Sequence, residues 1–210
     1  MDMNKINYDK QMQKQIELAK DGATLLLHVC CAPCLTYCLT RVIEQFDVTL
    51  FYSNSNITDA NEWQKRLDEL EKLVDLVNDG KYEIVPKYKL KLVVDGHNAE
   101  EFLSFATPLA DQREGGNRCW ECYKMRLANT HKQAMAGKFD YFASTLSVSP
   151  YKNATWLNQI GEDLAQSGNT KWLASDFKKN DGYRTSVALS NKYGLYRQHY
   201  CGCEFSKGEE

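Results

Sequence analysis

The groups in this 210-residue chain best able to do chemistry are its eight cysteines. Seven fall in three tight clusters: Cys30, Cys31 and Cys34 in HVCCAPC, Cys119 and Cys122 in RCWEC, and Cys201 and Cys203 in CGC. Cys38 follows Cys34 by one helical turn and reads as a small buried apolar side chain. Thiolates are soft metal ligands and nucleophiles, so the clusters predict metal binding or thiol redox work. At a helix start, the free amides and the dipole favour the thiolates of a CxxC. In CGC the two thiols face one side of an extended chain, and Gly202 leaves room for close approach. Cys30 and Cys31, adjacent in extended chain, are expected to point apart and to serve two neighbouring metal centres. Seven thiols exceed the four that a 4Fe–4S cluster takes, which suggests a second metal beside it. A four-sulfur zinc site from CxxC and CGC and a thioredoxin-like redox pair are the alternatives. Against the latter, the CxxC does not follow the first strand.

Context favours metal over disulfides. The N-terminal stretch MDMNKINYDKQMQKQIELAKDG is polar and lacks the apolar core of a secretory signal. A cytoplasmic location is therefore expected, where thiols stay reduced. No apolar run approaches the length of a membrane span. The net charge of −2 is uneven: residues 1–110 carry 12 Lys+Arg against 17 Asp+Glu, and residues 111–200 carry 13 against 8. That asymmetry fits either a basic face for phosphates or an ordinary mixed surface.

The elements that must position the thiols follow from periodicity. Helices are predicted over 6–21, 34–46, 59–78, 98–106, 119–136, 153–167 and 181–192. Strands are predicted over 24–29, 48–52, 82–86, 141–146 and 171–174, and 107–118 reads as a polar loop. Strands alternating with helices mean βαβ units and a parallel sheet in one α/β domain. The N-terminal segment 1–22 is expected to be a polar helix, and 204–210 a disordered tail. In such sheets ligands bind beyond the carboxyl ends of the strands, which is where HVCCAPC falls. No GxGxxG, GxxxxGK[ST] or SGGxDS segment occurs, so a nucleotide site or an ATP-dependent tRNA-thiolating activity lacks motif support.

Five segments in fixed order carry a resemblance: HVCCAPC at 28–34, EGGNRCWECYKMRL at 114–127, FASTLSVSPYKN at 142–153, SDFKKNDGY at 175–183 and YGLYRQHYCGC at 193–203. Together the chain resembles the epoxyqueuosine reductases of the QueH type. The resemblance implies a Rossmann-like five-stranded parallel sheet similar to adenine-nucleotide α-hydrolase domains. It also implies a 4Fe–4S cluster with an adjacent iron, and a tRNA carrying epoxyqueuosine as substrate, reduced to queuosine by an external electron donor. Carried over residue by residue, Cys31, Cys119, Cys122 and Cys203 hold the cluster, and Cys30, Cys34 and Cys201 hold the iron. The chain departs from the family pattern at Cys34, where some members have Asp, and at FYSNSNI, where FYNPNI is usual.

Asp176, Lys178 and Tyr183, after the fifth strand, are candidate proton donors, although Asp176 could simply cap a turn. His28 reads as a hydrogen-bonded core residue. Arg113, Arg118, Lys152, Lys178, Lys179, Arg184 and Arg197 are candidate phosphate contacts, and Trp120 and Tyr151 candidate stacking platforms for RNA bases. A Trp between two ligands is more often packed in the core. A zinc-stabilised tRNA-binding module and a thiol oxidoreductase remain the competing functions.

Overall fold

The computed structural model describes residues 6–207. Strand β1 (Ala23–His28) is central. It pairs in parallel with β2 (Phe46–Tyr52) on one side and β4 (Tyr141–Ser144) on the other. With β3 (Lys91–Val94) and β5 (Lys171–Trp172) the order is β3-β2-β1-β4-β5, all parallel. The apolar run in β1 suits burial on both faces. Leu25 and Leu27 enter one core with helices α2 (Ala32–Thr40) and α3 (Ala60–Asn78). Leu26 enters the opposite core with α5 (Asn117–Ala136) and α6 (Ala154–Ala165). Helix α4 (Ala99–Ala106) packs on α5, and α7 (Gly182–Lys192) on α2.

Helix α1 (Tyr8–Leu18) closes the β5 edge. The Gln15 amide donates to Trp172 O at 2.9 Å and accepts from Ala174 N at 2.9 Å, continuing the ladder at the β5 edge. Among the described residues, no helix is long and apolar enough to cross a membrane.

The sheet departs from expectation at β3. Residues 82–84 form a bend, 85–86 are irregular, and the strand begins at Lys91. Two tethers explain the shift. The Tyr82 hydroxyl donates to Thr36 O at 2.6 Å, pinning the segment to α2. The Asn78 side chain takes both backbone groups of Leu90, at 2.8 and 3.0 Å, and delivers the chain to the sheet from there. Strand β4 stops at Ser144, and Thr145–Val148 turns as a 3-10 helix. The expected disordered tail begins with an ordered turn, Glu204–Ser206, whose Ser206 is buried; residues 208–210 lie outside the described residues.

Candidate active site

Strand order reverses between β1 and β4, so a crevice opens at their carboxyl ends. His28 ends β1 and is wholly buried beneath the crevice. Its Nε2–H donates to Ser53 O at 3.1 Å, and Nδ1 accepts from the Ser144 hydroxyl at 2.9 Å. Burial, reinforced by nearby Arg126, pushes its pKa down to about 3. It is a neutral core residue, as the sequence suggests.

Immediately above stand Cys30, Cys31 and Cys34, with sulfurs all within 4.8 Å of one another. Cys30 sits in a bend and Cys31 is the residue preceding α2, so their sulfurs converge to 3.8 Å rather than pointing apart. The bend overrides the alternation of extended chain. Hydrogen bonds from Cys31 and Cys34 hold the Cys30 thiol well below its usual pKa. Burial pushes Cys31 up to about 12. Cys38 is wholly buried and belongs to the core.

A second group lines one cleft: Cys119 and Cys122 from the first turns of α5, and Cys201 and Cys203 from the tail. Gly115 N donates to Cys119 Sγ at 3.2 Å, and Ser206 Oγ lies 3.2 Å from Cys201 Sγ. Burial pushes Cys122 up to about 11, while a hydrogen bond from Cys203 lowers Cys201. The tail is clasped from α3 and its preceding loop. Arg66 donates to Tyr200 O and Cys201 O, both at 3.2 Å, and Asn56 donates to Cys201 O at 3.2 Å. Gly202 adopts φ +102°, and a Cβ there would lie 2.7 Å from Ile57 Cγ1. The close approach expected of this glycine is real.

The two groups adjoin. A cavity of roughly 500 Å³ is bounded by Cys30, Cys34, Cys201, Tyr151 and Tyr183, and Glu114, Arg126 and Lys152 line both it and the cleft. All eight cysteines are free. Segments 30–34, 119–122 and 201–203 therefore meet at one rim, as expected. Cys31 stands with Cys30 and Cys34, and Cys201 with the CxxC and Cys203. The carried-over partition would place these two thiols the other way round.

Of the candidate proton donors, only Tyr183 lines the larger cavity. Asp176 and Lys178 pair with each other at 3.0 Å, and Lys178 also donates to Ser147 O and Lys152 O, both at 3.2 Å. Two candidate phosphate contacts are turned inward. Arg118 is buried and donates to the carbonyls of Leu109, Ala110 and Gln112, shaping the loop before α5. Lys152 is buried against Glu114 at 2.8 Å. Arg113, Lys179 and Arg184 are exposed, and Arg197 is half-buried with its guanidinium 6.0 Å from the Tyr183 ring centroid. Trp120 packs edge-on against Trp156 at 5.2 Å, whereas Tyr151 is 73% exposed.

Sequence reasoning missed Arg66, Arg126, Asn54, Gln198 and Glu114. Arg126 donates to Asn54 Oδ1 at 2.5 Å, between the two thiol groups. A buried arginine carries no local signature. Only the surplus of cysteines, whose thiolates need cations nearby, could have prompted a search for one.

A profile of the family described as Epoxyqueuosine reductase QueH matches residues 25–209. The chain is similar to the epoxyqueuosine reductase QueH of Streptococcus pyogenes serotype M1, 38% identical over 205 residues that cover 96% of this chain and 78% of that one. It is likewise similar to that of Staphylococcus epidermidis, 38% identical with 98% and 87% covered. A third relative, from Thermotoga maritima, is 32% identical with 87% and 90% covered.

Proposed function

The chain belongs to the epoxyqueuosine reductase QueH family, and from that premise we propose that it reduces epoxyqueuosine at the wobble position of a tRNA to queuosine in the cytoplasm. The epoxide oxygen leaves as water, two electrons and two protons are consumed, and a carbon–carbon double bond remains in the cyclopentene ring. One observation carries this reading: seven free thiols from three distant segments converge beside a cavity of roughly 500 Å³.

The donor set fits an iron–sulfur centre. It is all-thiol, it exceeds the four sulfurs of a zinc site, and buried Arg126 and Lys152 offset the charge of thiolates. We assign Cys31, Cys119, Cys122 and Cys203 to a 4Fe–4S cluster, and Cys30, Cys34 and Cys201 to an adjacent iron. Cys201 suits a place between the two centres, since it borders both the cleft and the cavity; Cys31, which stands with Cys30 and Cys34, is given to the cluster on the family resemblance. The bound centre would supply electrons singly from an external donor, and a Lewis acid for the developing alkoxide.

The remaining work falls to the chain. Tyr183 reaches the cavity with a phenolic O–H that can deliver a proton to the departing oxygen. Tyr151 offers a stacking face for a base splayed from the anticodon loop. Arg113, Lys179, Arg184 and Arg197 hold phosphates, while Asp176 and Lys178 hold the turn around Ser147 and Lys152.

The test is anaerobic purification with iron and sulfide analysis, then incubation with epoxyqueuosine-containing tRNA and a reductant, with nucleosides read by mass spectrometry. Loss of 16 mass units is the expected product signature, one oxygen removed. A colourless, zinc-loaded protein that leaves the tRNA unchanged overturns the reading. For the partition, Cys31→Ser is expected to lose sulfide, whereas Cys201→Ser retains sulfide and loses one iron.

A further inference from the structure

One contact at this site has no counterpart in the ligand set. The tail segment between α7 and CGC passes over Cys31, and the Gln198 side chain donates from Nε2 to Cys31 Sγ at 2.9 Å. Among the described residues it is the one side-chain amide on any of the seven clustered sulfurs. Thr145 and Ser206, which approach Cys30 and Cys201, are hydroxyls. Once Cys31 holds a metal as thiolate its sulfur only accepts, so this amide orientation, with Nε2–H toward sulfur, is the one that suits the loaded site. The Gln198 Oε1 is buried without a hydrogen-bond partner, which leaves the Nε2–H to sulfur bond as the reason for this placement.

The amide cannot easily swing away. On one side Arg197 donates to Ser190 Oγ at 3.2 Å, and on the other Arg66 holds Tyr200 O and Cys201 O. Cys31 is equally constrained, buried at the head of α2 with Pro33 in the first turn. A fixed N–H dipole aimed at a ligand sulfur stabilises the electron-rich reduced state more than the oxidised one. Hydrogen bonds to sulfur are among the determinants of iron–sulfur potentials. An amide does so at every working pH, because it does not titrate.

We propose that Gln198 is a positioning residue of the redox centre, raising the reduction potential of the metal site that Cys31 helps to hold through its Nε2–H to sulfur bond. The inference rests on the iron–sulfur reading above. Gln198 also lines the larger cavity, so the residue that sets the potential is part of the wall against which substrate packs.

The test compares anaerobically prepared wild type, Gln198→Leu and Gln198→Glu. Leucine keeps much of the volume and removes the donor; glutamate keeps the shape and adds negative charge. Iron and sulfide are assayed first, and midpoint potentials are then measured by redox titration followed by electron paramagnetic resonance and absorption. The expected result is wild-type metal content with a midpoint shifted to more negative potential in Gln198→Leu, and further still in Gln198→Glu. Wild-type potentials in both variants, or in Gln198→Glu when Gln198→Leu fails to hold metal, overturn the proposal and leave the iron–sulfur reading intact. A wild-type protein without iron and sulfide overturns both.

Discussion

The Lys152 ammonium stands 2.8 Å from the Glu114 carboxylate in the wall that the thiol cleft shares with the larger cavity. Lys152 is buried, whereas the Glu114 side chain keeps 29% of its exposure. The two halves of the pair therefore differ in what their removal leaves behind. Glu114→Gln takes the carboxylate from a buried cation that still faces Cys201, and is expected to cost about 2–3 kcal/mol, below the ~3–5 for a fully buried pair because Glu114 is partly exposed. Lys152→Met leaves a carboxylate that can reach water and is expected to cost less. Urea unfolding of the two variants ranks them, and the reverse order would show that Glu114, not Lys152, is the desolvated partner.

Arg126 connects the trio of thiols to the second group through Asn54. Arg126→Met removes the cation that faces Cys30 and Cys122 and leaves Asn54 Oδ1 buried and unpaired. A loss of about 2–4 kcal/mol is expected, together with iron content below wild type. Full iron retention in the variant would show that the thiolates find their compensating charge elsewhere.

Gly202→Ala places a methyl 2.7 Å from Ile57 Cγ1 on a backbone at φ +102°. The strain is expected to be on the order of 1–3 kcal/mol and to fall on the segment that presents Cys201 and Cys203. Iron and sulfide content should drop while far-ultraviolet circular dichroism stays native. Unchanged metal content would mean that the tail relaxes without moving its thiols.

Tyr151 projects from the cavity rim with 73% exposure, so Tyr151→Ala should leave stability within about 0.5 kcal/mol of wild type. As the proposed stacking platform it is expected to contribute about 1–3 kcal/mol to RNA binding. KM for the tRNA should rise roughly five- to hundredfold, with kcat little changed. A fall in kcat at unchanged KM would reassign Tyr151 to the chemistry.

Asp140 ties the starts of β4 and β1 together. Its Oδ2 accepts from Thr24 N at 2.9 Å and from the Thr24 hydroxyl at 3.0 Å, and Lys20 lies 3.1 Å from Oδ1. Chiefly through the Thr24 N–H bond, its pKa is lowered. A carboxylate with a depressed folded-state pKa contributes stability above its unfolded value near 4, and loses it as pH falls through the folded value. With 35% of the side chain exposed, the discounted contribution is about 1 kcal/mol. Asp140→Asn should thus be less stable than wild type at pH 7, with the gap closing below about pH 4. A gap that persists at pH 2 would show that the hydrogen bonds, not the charge, carry the effect.

The sequence by itself determined the parts. Apolar runs such as Leu25–Leu27 marked the strand buried on both faces, and Asn98 and Asp59 announced helix starts that the structure keeps. Cysteine spacing placed three thiol clusters beyond a sheet edge, because ligand residues on short segments keep their local geometry wherever the segment goes. Tertiary structure decided the rest. Strand β3 moved from residues 82–86 to Lys91–Val94 because Asn78 and Thr36 hold the intervening chain, contacts invisible to local propensity. Arg118 and Lys152 turned inward because buried carbonyls and the Glu114 carboxylate take up their donors. Gln198 met Cys31 across 167 positions of chain. Such meetings depend on how helices and tail wrap the sheet, a global property that no window of sequence encodes.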